Sequence, residues 1–271
     1  MILIASIISH STITMHTIRI GTSNIVLPGN KQSFPEEYRS ASRLTYYASL
    51  FNTLEVNSSF YKVPQPETFA RWAAEVPDNF RFTVKLWKGI THARALAWQE
   101  QDVIKFMQAA RQLGNKKGCL LIQFPASVTV DYVAPVKQLL QLVRRHNPHN
   151  EWHTVVEFRH TGWYTPQTYQ MLNQQHCSIV LHDKSRSATM QLNEHASVAF
   201  IRFHGTDDNY GGTYTTAHLQ AVHQQMQQWL QAGKQVYAYF NNTLGTAYED
   251  AMLLKNIATT SEQHRTGQLK Q

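Results

Sequence analysis

The chain is poor in cysteine. Its 271 residues hold two, Cys119 and Cys177, with no CxxC pair and no Cys/His cluster beside either. Neither a disulfide framework nor a zinc knuckle is indicated. Both lie in or beside apolar runs and read as core filler, which fits a reducing, cytoplasmic setting. No apolar stretch approaches the length of a membrane span. The N-terminal MILIASIISH is apolar, but it lacks a positive n-region and a small-residue cleavage site, which argues against a signal peptide. Charge is sparse as well. Only 16% of residues are charged, and 25 basic against 18 acidic side chains leave a formal net charge of +7. That thin excess favours an anionic ligand, or a weak contact with nucleic acid, without demanding either. No linker rich in Pro, Gly or Ser divides the chain, and nothing in it specifies an oligomeric state.

What is present is an alternation. Eight short β-rich runs recur at Ile18–Thr22, Leu54–Asn57, Phe80–Lys85, Cys119–Phe124, Thr154–Arg159, Ser178–Asp183, Val198–His204 and Gln235–Asn241. Helix-period apolar stripes lie between most of them. Leu44, Tyr47, Ala48 and Phe51 form one; Val103, Phe106, Met107 and Ala110 form another, stopped near Gly114. Thr165-Pro166 reads as an N-cap followed by Pro at the first helical position. The segment 184–197 shows no helical pattern. Eight strands alternating with helices predict parallel pairing and closure into a single (β/α)8 TIM barrel. The barrel is expected over residues 17–260. Residues 1–16 are expected to form an extension outside it, with Met15 a candidate natural start, and 261–271 a polar tail that frays.

Within the strands, parity separates two environments. Leu54, Val56, Phe80, Phe82, Val84, Leu120, Ile122, Phe124, Val156, Phe158, Ala199, Ile201 and Phe203 fall on the face toward the helices. The opposite face then carries Glu55, Asn57, Thr83, Lys85, Gln123, Glu157, Arg159, Arg202 and His204. These polar residues gather toward the C-terminal strand ends, where barrel enzymes build their sites. Burying that many charges for packing alone is costly, so a ligand site is expected. Lys85, Arg159 and Arg202 outnumber Glu55 and Glu157, which points to an anion. The glycine-containing loops His204–Tyr214 and Asn241–Ala247 are candidates for phosphate binding through backbone N–H groups.

The ordered set EVNSSFYKVP (55–64), FTVK (82–85) with ITH (90–92), QFP (123–125), VEFR (156–159), RFHG (202–205) and FNN (240–242) with GTA (245–247) resembles the DUF72, or YecE-like, family. The resemblance spans about residues 18–258 and implies the barrel; it brings no activity with it. One departure is the first turn, where Gly21-Thr22-Ser23 runs into Asn24–Asn30 without the aromatic turn usual in that family.

Three chemistries follow. In the first, the protein binds or acts on a small phosphorylated or carboxylated molecule, without cofactor or metal. Glu157 is the general base or acid, Lys85 neutralises developing negative charge and His204 relays a proton. Glu55, Asn57, Tyr61, His92, Gln123, Arg159, Arg202, Gly205, Tyr214, Asn241 and Asn242 bind substrate, and Trp163 joins Tyr61 in walling the pocket. The second is a divalent-metal phosphodiesterase or isomerase using Glu55, Glu157, His182, Asp183 and His204; the neighbouring basic residues oppose it. The third is a non-catalytic nucleic-acid-binding protein, which the basic pI of about 9.4 allows but no recognition motif supports.

Overall fold

The computed structural model describes residues 18–207 and 209–268; the extension ahead of the barrel and the candidate start at Met15 lie outside them. Eight strands form the barrel: β1 (Ile18–Thr22), β2 (Thr53–Val56), β3 (Arg81–Lys85), β4 (Lys117–Phe124), β5 (His153–Phe158), β6 (Ser178–His182), β7 (Val198–Phe203) and β8 (Gln235–Phe240). Every ladder is parallel, and β8 closes back on β1. The α-helices are α1 (Arg43–Leu50), α2 (Ser58–Tyr61), α3 (Pro66–Ala74), α4 (Lys88–Thr91), α5 (Glu100–Ala110), α6 (Val133–Arg145), α7 (Pro166–Gln174), α8 (Thr216–Gln231) and α9 (Ala247–Gln268). The Thr165 side chain accepts the Thr168 N–H at the start of α7, the cap expected from Thr-Pro. Among the described residues no helix lies between β6 and β7. The return segment is held by Asn193, whose amide accepts the Ile179 N–H and donates to the Cys177 carbonyl.

The period-two alternation sorts the core as expected. Leu54, Val56, Phe82, Val84, Leu120, Ile122, Phe124, Val156, Phe158, Ile201 and Phe203 pack with the helices. Cys119, Leu121, Val155, Val180, Val198, Phe200, Tyr237 and Tyr239 form a separate cluster inside the barrel. The Tyr239 hydroxyl, at the centre, is shared with Thr53 and Thr83.

The β1–β2 seam is closed by side chains where the backbone ladder fails. The Tyr47 hydroxyl accepts the Thr22 N–H at 2.7 Å and donates to the Thr53 carbonyl at 3.1 Å. The Asn52 amide accepts from Ile20 N and donates to the Ile18 carbonyl. Direct pairing resumes at the C-terminal end, where Asn24 N–H donates to the Glu55 carbonyl. A Cβ on Gly21 would collide with the Thr53 carbonyl oxygen, so only glycine lets the seam narrow there.

The last helix continues beyond Thr260, where the sequence suggested a fraying tail. Its first turns are anchored by Ala247, Ala251, Leu254 and Ala258 in the core. Residues 261–266 then contain no Gly or Pro to stop propagation. No helix among the described residues is long and apolar enough to cross a membrane.

A candidate anion cleft over a buried ion network

The strand register sets the charged residues at one level. Glu55 lies beside Thr83, Gln123 beside Glu157, and His182 beside Arg202. Arg202, 1% exposed, grips Glu55 bidentately, Nε to Oε2 at 2.9 Å and Nη2 to Oε1 at 2.7 Å, and donates Nη1 to Glu157 Oε2 at 2.7 Å. Arg159 pairs with the other Glu157 oxygen. Ser23 Oγ donates to Glu55 Oε1 at 2.7 Å, so the first βα-loop does join the site. The result is a chain Glu55–Arg202–Glu157–Arg159 running across the barrel mouth in alternating charge. Burial alone would raise both carboxyl pKa values. The guanidinium of Arg202, with Ser23 and Lys85, instead holds Glu55 below its usual value; Arg159 and Arg202 hold Glu157 well below.

His204 completes the layer. Its Nε2 lies 2.8 Å from Arg159 Nη2 and 3.2 Å from Arg202 Nη1, both obligate donors, so Nε2 is the acceptor and the proton sits on Nδ1, facing Asp183 Oδ1 at 3.3 Å. Burial lowers its pKa to about 4 against the opposing pull of Asp183, leaving a neutral ring at pH 7. Asp183 also accepts the His204 backbone N–H and the Tyr214 hydroxyl. Beside it, the Tyr164 hydroxyl meets His182 Nε2 at 3.0 Å and the carbonyls of Phe158 and Ser187.

Above this layer opens a cleft of about 280 Å³, lined by Asn24, Asn57, Phe60, Tyr61, Lys85, Gln123, Arg159, Arg202, Tyr210, Asn241 and Thr243. Lys85 is 8% exposed, and its ammonium lies 4.1 Å from the Phe60 ring centroid. No hydrogen bond joins it to any described residue. Burial, then the nearby Arg202 charge, lowers its pKa to about 8 despite Glu157 and Glu55. Each carboxylate of the network has its own guanidinium, so among the described residues of this layer Lys85 is the cation left over.

Seven of the residues expected at the site thus line the cleft: Asn57, Tyr61, Lys85, Gln123, Arg159, Arg202 and Asn241. Glu55, Glu157 and His204 lie behind the arginines, fully buried. Glu157 is ion-paired to Arg202 through one oxygen and to Arg159 through the other, and His204 Nε2 faces the same two guanidiniums, so neither lines the cleft where the base and relay were expected. His92 sits at the rim, edge-on to Phe60. Tyr214, Gly205 and Asn242 lie outside the cleft lining: the Tyr214 hydroxyl accepts the Gly205 N–H, and Asn242 Nδ2 donates to Asp250 and to the Gly212 carbonyl. Trp163 does not wall the cleft; it stacks on Phe158 at 4.3 Å on the helix side and donates to the Val128 carbonyl. The glycine loops also differ from expectation. The Gly211 N–H goes to Asp207, that of Gly245 to the Asn242 carbonyl and that of Thr246 to the Gly212 carbonyl, so these donors serve the loops themselves. Among the described residues no three His, Cys, Asp or Glu side chains converge as a metal-binding set. The carboxylates the metal reading required are spent on arginine. Phe60, Asn24, Tyr210 and Thr243 were missed. Phe60 stood inside the 55–64 motif, and its place beside a strand-end lysine was the available signal.

The fold defines a (β/α)8-barrel protein with a cleft at the C-terminal ends of its strands, over a buried ion network. Within that class, the chain belongs to the DUF72 family, described as proteins of unknown function, whose model matches residues 19–271. The UPF0759 protein YecE of Escherichia coli K12 is 34% identical over 84 residues, 31% of each chain. The UPF0759 protein YunF of Bacillus subtilis 168 is 26% identical over 148 residues, 51% of this chain and 49% of that one. The matched stretches therefore span from a third to half of those relatives. Crystal structures of DUF72 family proteins share the fold: one from Enterococcus faecalis V583 has a TM-score of 0.74 at 22% identity, covering 90% of this chain and 96% of that one. One from Thermotoga maritima MSB8 scores 0.69 at 22% identity, covering 89% and 99%. A xylose isomerase domain containing protein from Salmonella typhimurium LT2 scores 0.51 at 14% identity, covering 90% and 96%.

Proposed function

We propose that the cleft binds, and acts on, a small molecule carrying a phosphate or carboxylate. The observation that carries this reading is the Lys85 ammonium, buried in the cleft wall without a counter-charge of its own among the described residues, while the surrounding charges cancel in pairs. An isolated buried cation is costly, and an anion in the cleft relieves that cost. Arg159, 14% exposed at its side chain, supplies a second donor group from across the cleft. Asn57, Gln123 and Asn241 can orient the remainder of the ligand through amide hydrogen bonds.

The test is a thermal-shift series with phosphate, sulfate and citrate at constant ionic strength. The expected result is a saturable rise in melting temperature that is lost in Lys85→Met and unaffected by EDTA. A rise with manganese or magnesium and none with the anions would install the metal reading instead. Saturable binding of a single-stranded oligonucleotide without any phosphate effect would install the nucleic-acid reading.

A further inference from the structure

Lys85 ends β3, and its position is fixed from two sides. Its carbonyl accepts the Ser59 hydroxyl at 2.8 Å, and the next residue, Leu86, donates its N–H to the Leu121 carbonyl. The side chain then runs along the Phe60 ring into the cleft. Three features distinguish it from an ordinary ion-pairing lysine. It is more than nine-tenths buried. Its ammonium has no acceptor among the described residues. The carboxylates nearest in the network have their oxygens turned to Arg202, Arg159 and Ser23. A lysine kept from carboxylate partners, desolvated and flanked by fixed cations is the arrangement that turns a side-chain ammonium into an amine nucleophile.

We propose that Lys85 condenses with the carbonyl carbon of a small anionic aldehyde or ketone, such as a 2-oxo acid, to form an imine. This rests on the anion reading of the same cleft, because Arg159 would hold the carboxylate or phosphate of the substrate while Lys85 meets its carbonyl. The neutral amine attacks the carbonyl carbon, a C–N bond forms, and the carbonyl oxygen takes up protons from solvent. It leaves as one water, and the nitrogen loses both its hydrogens to give C=N. No oxidant or reductant is consumed. The depressed pKa, about 8, supports the step by supplying free amine near neutral pH.

The experiment incubates the intact protein at pH 8 with pyruvate, glyoxylate or neutral acetaldehyde, each with sodium cyanoborohydride, and maps the reduced adducts by peptide mass spectrometry. At that pH about half of an amine with the Lys85 value is neutral, against well under about 1% of an ordinary lysine, so labelling at Lys85 is expected to exceed any other lysine by roughly tenfold or more. Pyruvate and glyoxylate should label it in preference to acetaldehyde, sulfate should compete, and Lys85→Arg should carry no adduct in the cleft. Adducts spread over exposed lysines such as Lys62 and Lys88, with Lys85 no richer than they are, overturn the proposal. The wild-type map decides this even if the variant fails to fold. A wild-type protein stabilised by sulfate yet unlabelled at Lys85 sinks the imine and leaves the anion reading standing. Labelling at Lys85 by acetaldehyde as readily as by pyruvate, without any sulfate effect, overturns the proposal and the anion reading together, leaving only a reactive amine.

Discussion

Replacing Arg202 with Met deletes the cation that joins β2, β5 and β7. The guanidinium makes three hydrogen bonds to two carboxylates that are themselves 0% exposed. Removing one partner of a buried pair costs about 3–5 kcal/mol. Glu157 keeps Arg159, whereas Glu55 is left with the Ser23 hydroxyl and the charge of Lys85. The cheapest escape for Glu55 is to take up a proton, which at pH 7 costs an ordinary glutamate about 3.7 kcal/mol. Both routes converge on a loss of about 4 kcal/mol at pH 7, and the protonation route falls to about 1 kcal/mol at pH 5. The sign follows from proton counting: between these pH values the folded variant holds a proton that the unfolded chain does not, so its stability falls as pH rises. In the wild type the depressed carboxyl pKa values act oppositely, and stability is lost only as pH drops below the ordinary glutamate range. Urea denaturation of the wild type, Arg202→Met and Glu55→Gln/Arg202→Met at pH 5 and pH 7 measures this directly. The double variant should recover most of the loss at pH 7. A loss under about 1 kcal/mol at pH 7, or one equal at both pH values and untouched by Glu55→Gln, would refute the reasoning.

Lys85→Met should stabilise the anion-free protein by up to about 3 kcal/mol at pH 7, since it removes a buried cation whose proton is weakened from 10.5 to about 8. The gain should vanish as pH rises from 8 to 10.5, where the wild type sheds the proton that its unfolded chain still binds; urea midpoints across that range check it. His204 is neutral in the fold down to about pH 4 while the unfolded ring protonates near 6.5, so the melting temperature should fall with acidification across that window and fall less in His204→Gln. Tyr47→Phe leaves the Thr22 N–H and the Thr53 carbonyl unpaired in the β1–β2 seam and should cost about 2 kcal/mol, with amide exchange rising first along β1.

The strands and their two faces were legible because alternation records burial residue by residue; Phe82 and Lys85 declare their sides without reference to anything distant. The eight strand positions differ from the structure only at their ends. The pairing of charges was not legible. Arg202 meets Glu55 across 147 residues and Glu157 across 45, and no local pattern states which carboxylate takes which guanidinium. That is why Glu157 read as a base or acid and Arg202 as a substrate-binding group, with nothing to show that the two are paired with each other. The loop glycines misled for a related reason: a glycine shows that the backbone turns, not where its N–H points, and the Gly211 donor was already committed to Asp207. The Tyr47 bridge has no sequence signature either, because a helix-stripe tyrosine looks the same whether its hydroxyl meets water or closes a barrel.

The most direct test is a pH titration of the lysine side chains by NMR in protein carrying 13C at lysine Cε. A resonance that disappears in Lys85→Met should titrate near 8, well below the ordinary 10.5, and should move upward when phosphate saturates the cleft. If the Lys85 resonance instead titrates at the ordinary value and ignores phosphate, the ammonium is either solvated or already paired, and the cleft is not an anion site.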